Sequence, residues 1–136
     1  MREIIFRAKV KDKNELIGKG FRIDENGNLK SEWVFGVPIP HYPDLFLAWN
    51  EACNEYEEVT IIPETVGQYT GMTDKNGLTK IFEYDIIDAN GRKVGNYYEN
   101  SNLLKDGTCF LVAKMGTKEW SRSEQEAIKR GCKYAE

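Results

Sequence analysis

Apolar and polar positions alternate along much of the chain, and turn dipeptides interrupt the alternation. Asn-Gly occurs at Asn26-Gly27, Asn76-Gly77 and Asn90-Gly91, and Asp106-Gly107 adds a fourth turn signal. These pairs tolerate the positive φ of tight hairpin turns. A three-residue loop at Glu25-Asn26-Gly27 sets Ile23 opposite Leu29. It places Phe21, Ile23, Leu29, Trp33 and Phe35 on one side. A one-residue slip would invert every side chain, so this register is preferred. A two-residue loop at Asn76-Gly77 sets Met72 opposite Ile81 and Tyr69 opposite Tyr84. At Asn90-Gly91 the same geometry pairs Asp88 with Lys93 and Ile87 with Val94, a charge pair and an apolar pair.

Residues 45–56 read two ways. Leu45, Trp49, Ala52, Cys53 and Tyr56 recur at helical spacing, yet Leu45-Phe46-Leu47-Ala48-Trp49 also reads as a buried strand. The strand reading, with a turn around Asn50–Asn54 leading into Tyr56–Ile62, is preferred. Near the C-terminus, Ser121 and Ser123 each have a Glu three residues on, as in a capping box. Gly131 and Lys129-Arg130 suit a helix end, which predicts a short helix near residues 122–130. The expected fold is α+β and mostly antiparallel β. Several hairpins form a small twisted sheet or partial barrel, with a short C-terminal helix.

Length and composition fit one domain over residues 1–136: 40% of the residues are apolar and 30% charged. No apolar run is long enough for a membrane span, and the opening residues do not resemble a signal peptide. The net charge of −3 is unevenly spread. Residues 1–30 carry +3, residues 31–113 carry −8 and residues 114–136 carry +2. A negative middle with basic ends hints at head-to-tail self-association. Cys53, Cys109 and Cys132 are odd in number and far apart, which fits a reducing cytoplasm. With His41 as the one histidine, they lack the paired spacing of a zinc site.

Candidate chemistry is sparse. Asp24-x-Asn26-x-Asn28 imitates the start of a calcium loop, but Leu29 and Phe35 stand where Gly and Glu are required. Cys53 and His41 lack a third orienting group. Glu83 and Asp85 would share one strand face, with Glu64 a possible neighbour, and could hold a cation or do acid/base work. Exposed acids on a solvated strand face are the commoner explanation. Thr65, Gln68, Tyr69, Thr70 and Asp74 fit either a turn-forming hairpin or a surface read by a protein partner. Trp33, Trp49 and Trp120 suit core or interface anchors better than base-stacking platforms, because the middle of the chain is acidic. No catalytic residue, metal site or cofactor is predicted.

Several stretches resemble one family. Met1-Arg2-Glu3-Ile4-Ile5-Phe6-Arg7-Ala8 looks like the opening of the YopX-like phage proteins, and Glu32-Trp33-Val34-Phe35-Gly36 is similar to their "EWVYG" strand. The segment from Pro63 to Gly77 resembles "PETVGQYTGLKDKNG" nearly residue by residue. Ile81–Ile87 is similar to "IYEGDIV", and Val94–Leu104 to "IGNIYENPELL". The resemblance covers most of a signature core, 1–104, with a poor match at 37–60. Residues 105–136 form an extension. Two departures stand out. Tyr84 replaces the glycine of "EGD", and the β-rich insert usual in relatives, often like a small SH3-like barrel, is missing or reduced to the Asn90-Gly91 hairpin.

The resemblance implies a small, mostly β protein encoded by a bacteriophage or prophage and made in the host cytoplasm. It implies self-association but no reaction. The leading expectation is a non-enzymatic accessory protein, a homo-oligomer that binds a host or phage protein and no membrane. The alternative is a nucleic-acid-associated phage regulator using Arg2, Arg7, Lys9, Arg122, Lys129 and Arg130. Those basic residues are interleaved with acids rather than clustered, so nucleic acid is the less favoured partner.

Overall fold

The computed structural model describes residues 4–22, 24–26, 28–29 and 31–135. The chain divides into two compact units, one of Ile5–Val66 and one of Gly67–Glu136 with Met1–Ile4.

The first unit is an antiparallel meander. It runs through strands β1 (Phe6–Lys9), β2 (Trp33–Pro38), β3 (Leu45–Asn50) and β4 (Glu55–Thr60), with helix α1 (Lys13–Gly18) after β1. β1 pairs with β2 (Ala8 opposite Val34), β2 with β3 (Gly36 opposite Ala48) and β3 with β4 (Phe46 opposite Val59). Those inward positions form a core with Val10, Leu16 and Ile61, against which Phe6, Phe21, Leu29 and Val66 pack. Beyond β4, Ile61 forms a single bridge back to Val10, without closing a barrel. α1 is too short to announce itself by periodicity and buries only Leu16. Asp12 caps it by accepting from Asn14 N–H at 2.9 Å. Glu15 accepts from Thr60 N–H at 2.7 Å, which ties α1 to the end of β4.

Residues 45–56 resolve as strands β3 and β4 around a turn, as preferred above. The first hairpin differs from expectation. The first half of β2 pairs with β1, Trp33 to Gly36 facing Lys9 to Phe6, and not with the segment before Asn26. Phe21 and Leu29 reach the core, but Phe35 lies on the opposite face from buried Val34 and is exposed. The turn itself persists locally, with Asp24 N–H donating to Asn28 O at 2.7 Å. Ile23 and Gly27 lie outside the described residues.

The second unit contains β5 (Gly67–Thr73), β6 (Lys80–Phe82), β7 (Asp85–Ile87), β8 (Lys93–Asn96), a short helix α2 (Tyr97–Asn100), β9 (Phe110–Leu111), helix α3 (Lys118–Lys129) and β10 (Lys133–Tyr134). β5 is flanked by β6 and β10, and β7 by β8 and β9, all antiparallel. Met72, Ile81, Ile87, Val112, Ala127 and Cys132 form its core, with Phe110 and Trp120 packed against them.

The turn motif is longer than Asn-Gly. Asp precedes the Asn by two residues at Asp24, Asp74 and Asp88, and each Asp Oδ1 accepts from that Asn's N–H, at 2.9, 3.2 and 2.9 Å. Near Asn76-Gly77 the register is as expected, with Thr73 opposite Lys80. A bulge then shifts Tyr69 to face Phe82 instead of Tyr84. Thr70 occupies the bulge, donating to Ile81 O at 2.7 Å and accepting from Met72 N–H at 3.1 Å.

The third turn is a three-residue loop, not two, because Asp88 N–H donates to Arg92 O. Ile87 therefore faces Lys93, and Lys93 pairs with Asp85 at 3.1 Å rather than with Asp88. The left-handed turn residue Gly91 lies close under the end of α3. A Cβ there would sit 2.2 Å from Arg130 O, so only glycine fits.

α3 begins four residues before the expected start. Thr117 is its N-cap, and Ser121 and Ser123 lie inside it. The Ser-x-x-Glu pattern recurs within the helix, where Ser123 serves the fold instead. Its hydroxyl accepts from Ala113 N–H at 3.0 Å and donates to Leu111 O at 3.3 Å. The helix ends as predicted around Gly131, with Gly131 N–H donating to Ile128 O and Cys132 N–H to Ala127 O. This is the paired closure of a Schellman motif, completed by the apolar contact of Cys132 with the helix.

Candidate interaction surface

Most of the polar residues singled out from the sequence are committed to the fold. Thr65, Tyr69, Thr70 and Asp74 are buried, and Gln68 is half-buried. The Thr65 hydroxyl donates to Ile62 O at 2.6 Å and accepts from Lys9 N–H at 2.8 Å. Tyr69 stacks obliquely on Phe82, centroids 5.6 Å apart, with the Lys80 ammonium over its ring. These side chains satisfy backbone groups and fill the core, so they do not build an outward-facing surface.

The paired-carboxylate reading is corrected on the same ground. Glu83 lies in the turn between β6 and β7 and not on a strand face. Its two oxygens accept from Gln68 N–H at 2.7 Å and Met115 N–H at 2.8 Å. Asp85 accepts from Phe82 N–H at 2.7 Å and holds Lys93. Both acids are buried acceptors that staple separate segments together. Glu64 belongs to the other compact unit.

Burial raises the Cys132 thiol above its ordinary value, with Asp74 adding to the effect, so this sulfur is a poor nucleophile. Exposed Cys53 forms with Glu55 and Glu57 a cluster whose ligand atoms lie within 4.8 Å of one another. Exposed acids commonly group this way without an ion.

The candidate basic residues are divided between the two units. Arg2 lies outside the described residues. Arg7 is buried with its guanidinium over Trp33, and Lys9 is half-buried. Arg130 is held by Glu126 at 2.8 Å and Thr108 O at 2.8 Å, over the Phe110 ring. Arg122 and Lys129 are exposed on α3.

What the polar motifs do not provide, the meander does. Phe35 (46% exposed), Val37 (38%), Leu47 (37%), Trp49 (38%) and Tyr56 (57%) occupy the outward positions of β2, β3 and β4. Val37 lies directly opposite Leu47, and Trp49 opposite Tyr56. The last two rings meet edge to face at 5.0 Å. Antiparallel strands with one solvated face ordinarily alternate apolar with polar residues. Here both faces of β3 are apolar, Phe46 and Ala48 inward and Leu47 and Trp49 outward. A contiguous apolar patch of this kind marks an interaction site more often than scattered exposed residues do.

The surroundings of the patch carry both signs. Glu58 sits opposite Leu47 on the same face, with the Lys19 ammonium bonded to its backbone oxygen, Arg7 and Lys9 stand in register with Phe35 and Trp33, and Glu55 is in register with inward Asn50 on the other face. Residues 31–66 contain seven acidic residues and no Lys or Arg. That gap was open to sequence reading, but averaging the charge over 31–113 hides it.

Among the described residues no helix is long and apolar enough to cross a membrane. No curated protein and no solved structure matches the chain. The family described as YopX protein matches residues 5–94, a span that includes the whole meander and the Thr65–Gly77 signature but stops short of α3. The chain is therefore a member of the YopX family.

Proposed function

We propose that this chain is a phage-encoded accessory protein without catalytic activity. It acts in the cytoplasm of the bacterial host by binding a host or phage protein. The observation that carries the reading is the apolar, aromatic outer face of β2–β4. Tyr and Trp supply large contact area with a polar tip, as interface anchors do. The polar groups that could have served chemistry are instead bound to backbone atoms, which agrees with a binding role.

The test compares the tagged wild-type chain with a Trp49→Ser/Tyr56→Ser variant on lysate from phage-infected cells. Each lysate is split into nuclease-treated and untreated halves and read by mass spectrometry. Circular dichroism confirms that the variant is folded. The expected result is a discrete protein captured by the wild type alone and retained after nuclease. Equal capture by the variant would remove the face from the account. Partners lost with nuclease would favour the nucleic-acid alternative and make Arg122 and Lys129 the next residues to change. Light scattering on the purified chain reads the self-association expected from the family resemblance.

A further inference from the structure

Asn-Gly carries a reactivity of its own beside its turn geometry. The backbone nitrogen that follows an asparagine can attack the side-chain carbonyl, and glycine, having no Cβ, leaves that approach open. We propose that Asn76, in the turn between β5 and β6, is a site of spontaneous deamidation in the folded protein, whereas Asn90, in the turn between β7 and β8, is protected by the end of α3. The reaction needs only water. The Gly77 nitrogen loses its proton and bonds to Asn76 Cγ. The Cγ–N bond of the amide breaks, and its nitrogen leaves with that proton as ammonia. Water then opens the resulting succinimide at either carbonyl, giving aspartate or isoaspartate with a new carboxylate.

The two turns share the same local bonds. Both asparagines are exposed, and each accepts its turn from the Asp two residues earlier, whose Oδ1 takes the Asn N–H at 3.2 Å in the first turn and 2.9 Å in the second. Each glycine N–H donates to that Asp's backbone oxygen, at 2.8 Å for Gly77 and 3.1 Å for Gly91. Both glycines are left-handed, with φ of +75° and +77°. Ring closure must break the glycine N–H bond and turn the Asn–Gly peptide until its nitrogen faces Cγ. The turns differ in what that movement disturbs. Gly77 is exposed, as are its neighbours Leu78 and Thr79, and a Cβ there would meet nothing within 4 Å. Gly91 is buried. Its oxygen accepts from Lys75 N–H at 2.9 Å and from the Cys132 thiol at 3.6 Å, and a Cβ there would lie 2.2 Å from Arg130 O. Opening at Gly91 must therefore also part the turn from Lys75 and from the end of α3. Local opening costs least where the fewest tertiary contacts are lost, so the reactive conformer is more populated at Gly77.

The test incubates the purified full chain slightly above neutral pH, once folded and once unfolded in urea, and samples both over time. Each sample is digested with trypsin and read by chromatography and mass spectrometry. Asn76–Lys80 and Ile81–Arg92 are separate tryptic peptides with one asparagine each, so the mass gain from amide to acid is assigned without ambiguity. Chromatography separates the aspartyl and isoaspartyl products. In the folded chain the Asn76 peptide is expected to convert about tenfold or more faster than the Asn90 peptide, the factor for about one further hydrogen bond broken together with its packing. In urea those tertiary contacts are gone, and the two peptides should convert at similar rates. Three results would overturn the proposal. One is conversion of Asn90 as fast as Asn76 in the folded chain. Another is an Asn76 peptide left unchanged in the folded chain over the time in which urea converts it. The third is the same preference for Asn76 persisting in urea, which would place its origin in the neighbouring sequence and not in the fold.

Discussion

Tyr84 gives the sharpest stability test. It stands where the family pattern has glycine, and its φ is +70°, in the left-handed region that glycine favours. The conformation is imposed from both sides. Tyr84 N–H donates to Val112 O and Tyr84 O accepts from Tyr97 N–H, each at 2.8 Å, so the peptide planes between β6 and β7 cannot rotate freely. An L-residue there costs about 1–2 kcal/mol. The ring recovers part of this by an edge-to-face contact with Tyr98 at 5.8 Å, worth about 0.5–1.5 kcal/mol. Tyr84→Ala keeps the backbone cost and loses the ring contact, so it should destabilise by about 1 kcal/mol. Tyr84→Gly also loses the ring and adds about 0.4–1 kcal/mol of unfolded-chain entropy, but it removes the backbone cost. Its net change is close to zero. Glycine should therefore be more stable than alanine here by up to about 1 kcal/mol, the reverse of the ordinary order in strands. Urea unfolding of the three proteins, compared by midpoint at constant slope, reads the difference. An alanine variant as stable as the glycine variant would refute the claim that the bonds to Val112 and Tyr97 hold this backbone left-handed.

Other outcomes follow from specific contacts. Gly36→Ala would place a Cβ 1.9 Å from the backbone oxygen of Leu47, so β2 and β3 must separate. A loss of about 1–3 kcal/mol or more is expected in the same urea assay. At near-neutral pH, iodoacetamide should label exposed Cys53 first and buried, high-pKa Cys132 only on unfolding, as peptide mapping over time would show. The side-chain hydrogen bond from Arg130 holds the Glu126 carboxyl below its ordinary value of 4.5. The stabilisation is therefore present above that value and is lost as pH falls through the lowered one. Glu126→Gln should flatten this part of the pH–stability curve, measured by thermal melts.

Local signals in the sequence were most reliable where geometry is set by neighbours in the chain. The Asn-Gly turns are present because Asp two residues earlier closes each one by a short hydrogen bond. Gly131 ends α3 for a similarly local reason. Registers drifted where tertiary contacts intervened. The bulge at Thr70 moved Tyr69 onto Phe82, and the extra loop residue at Gly91 gave Lys93 to Asp85. The pairing of β2 with β1 spans a gap of more than twenty residues, which no hairpin rule encodes.

The candidate surface was hard to read for a physical reason. Leu45-Phe46-Leu47-Ala48-Trp49 is apolar on both faces, so the alternation that would have separated strand from helix is absent where the outer face departs from a solvated sheet. The Thr65–Gly77 signature is conspicuous as a motif, yet the Thr65 and Thr70 hydroxyls and the Asp74 carboxylate serve the backbone.

The most direct test places a photo-crosslinking residue at Leu47, in the centre of the outer face, and in a second protein at exposed Gln125 on α3. Both are expressed in infected cells, irradiated and resolved by mass. The account predicts a discrete protein adduct from position 47, absent when Trp49→Ser/Tyr56→Ser is added, and none of the same mass from position 125. An adduct from position 125 alone, or one at 47 that persists in the double variant, would contradict the assignment of partner binding to the β2–β4 face.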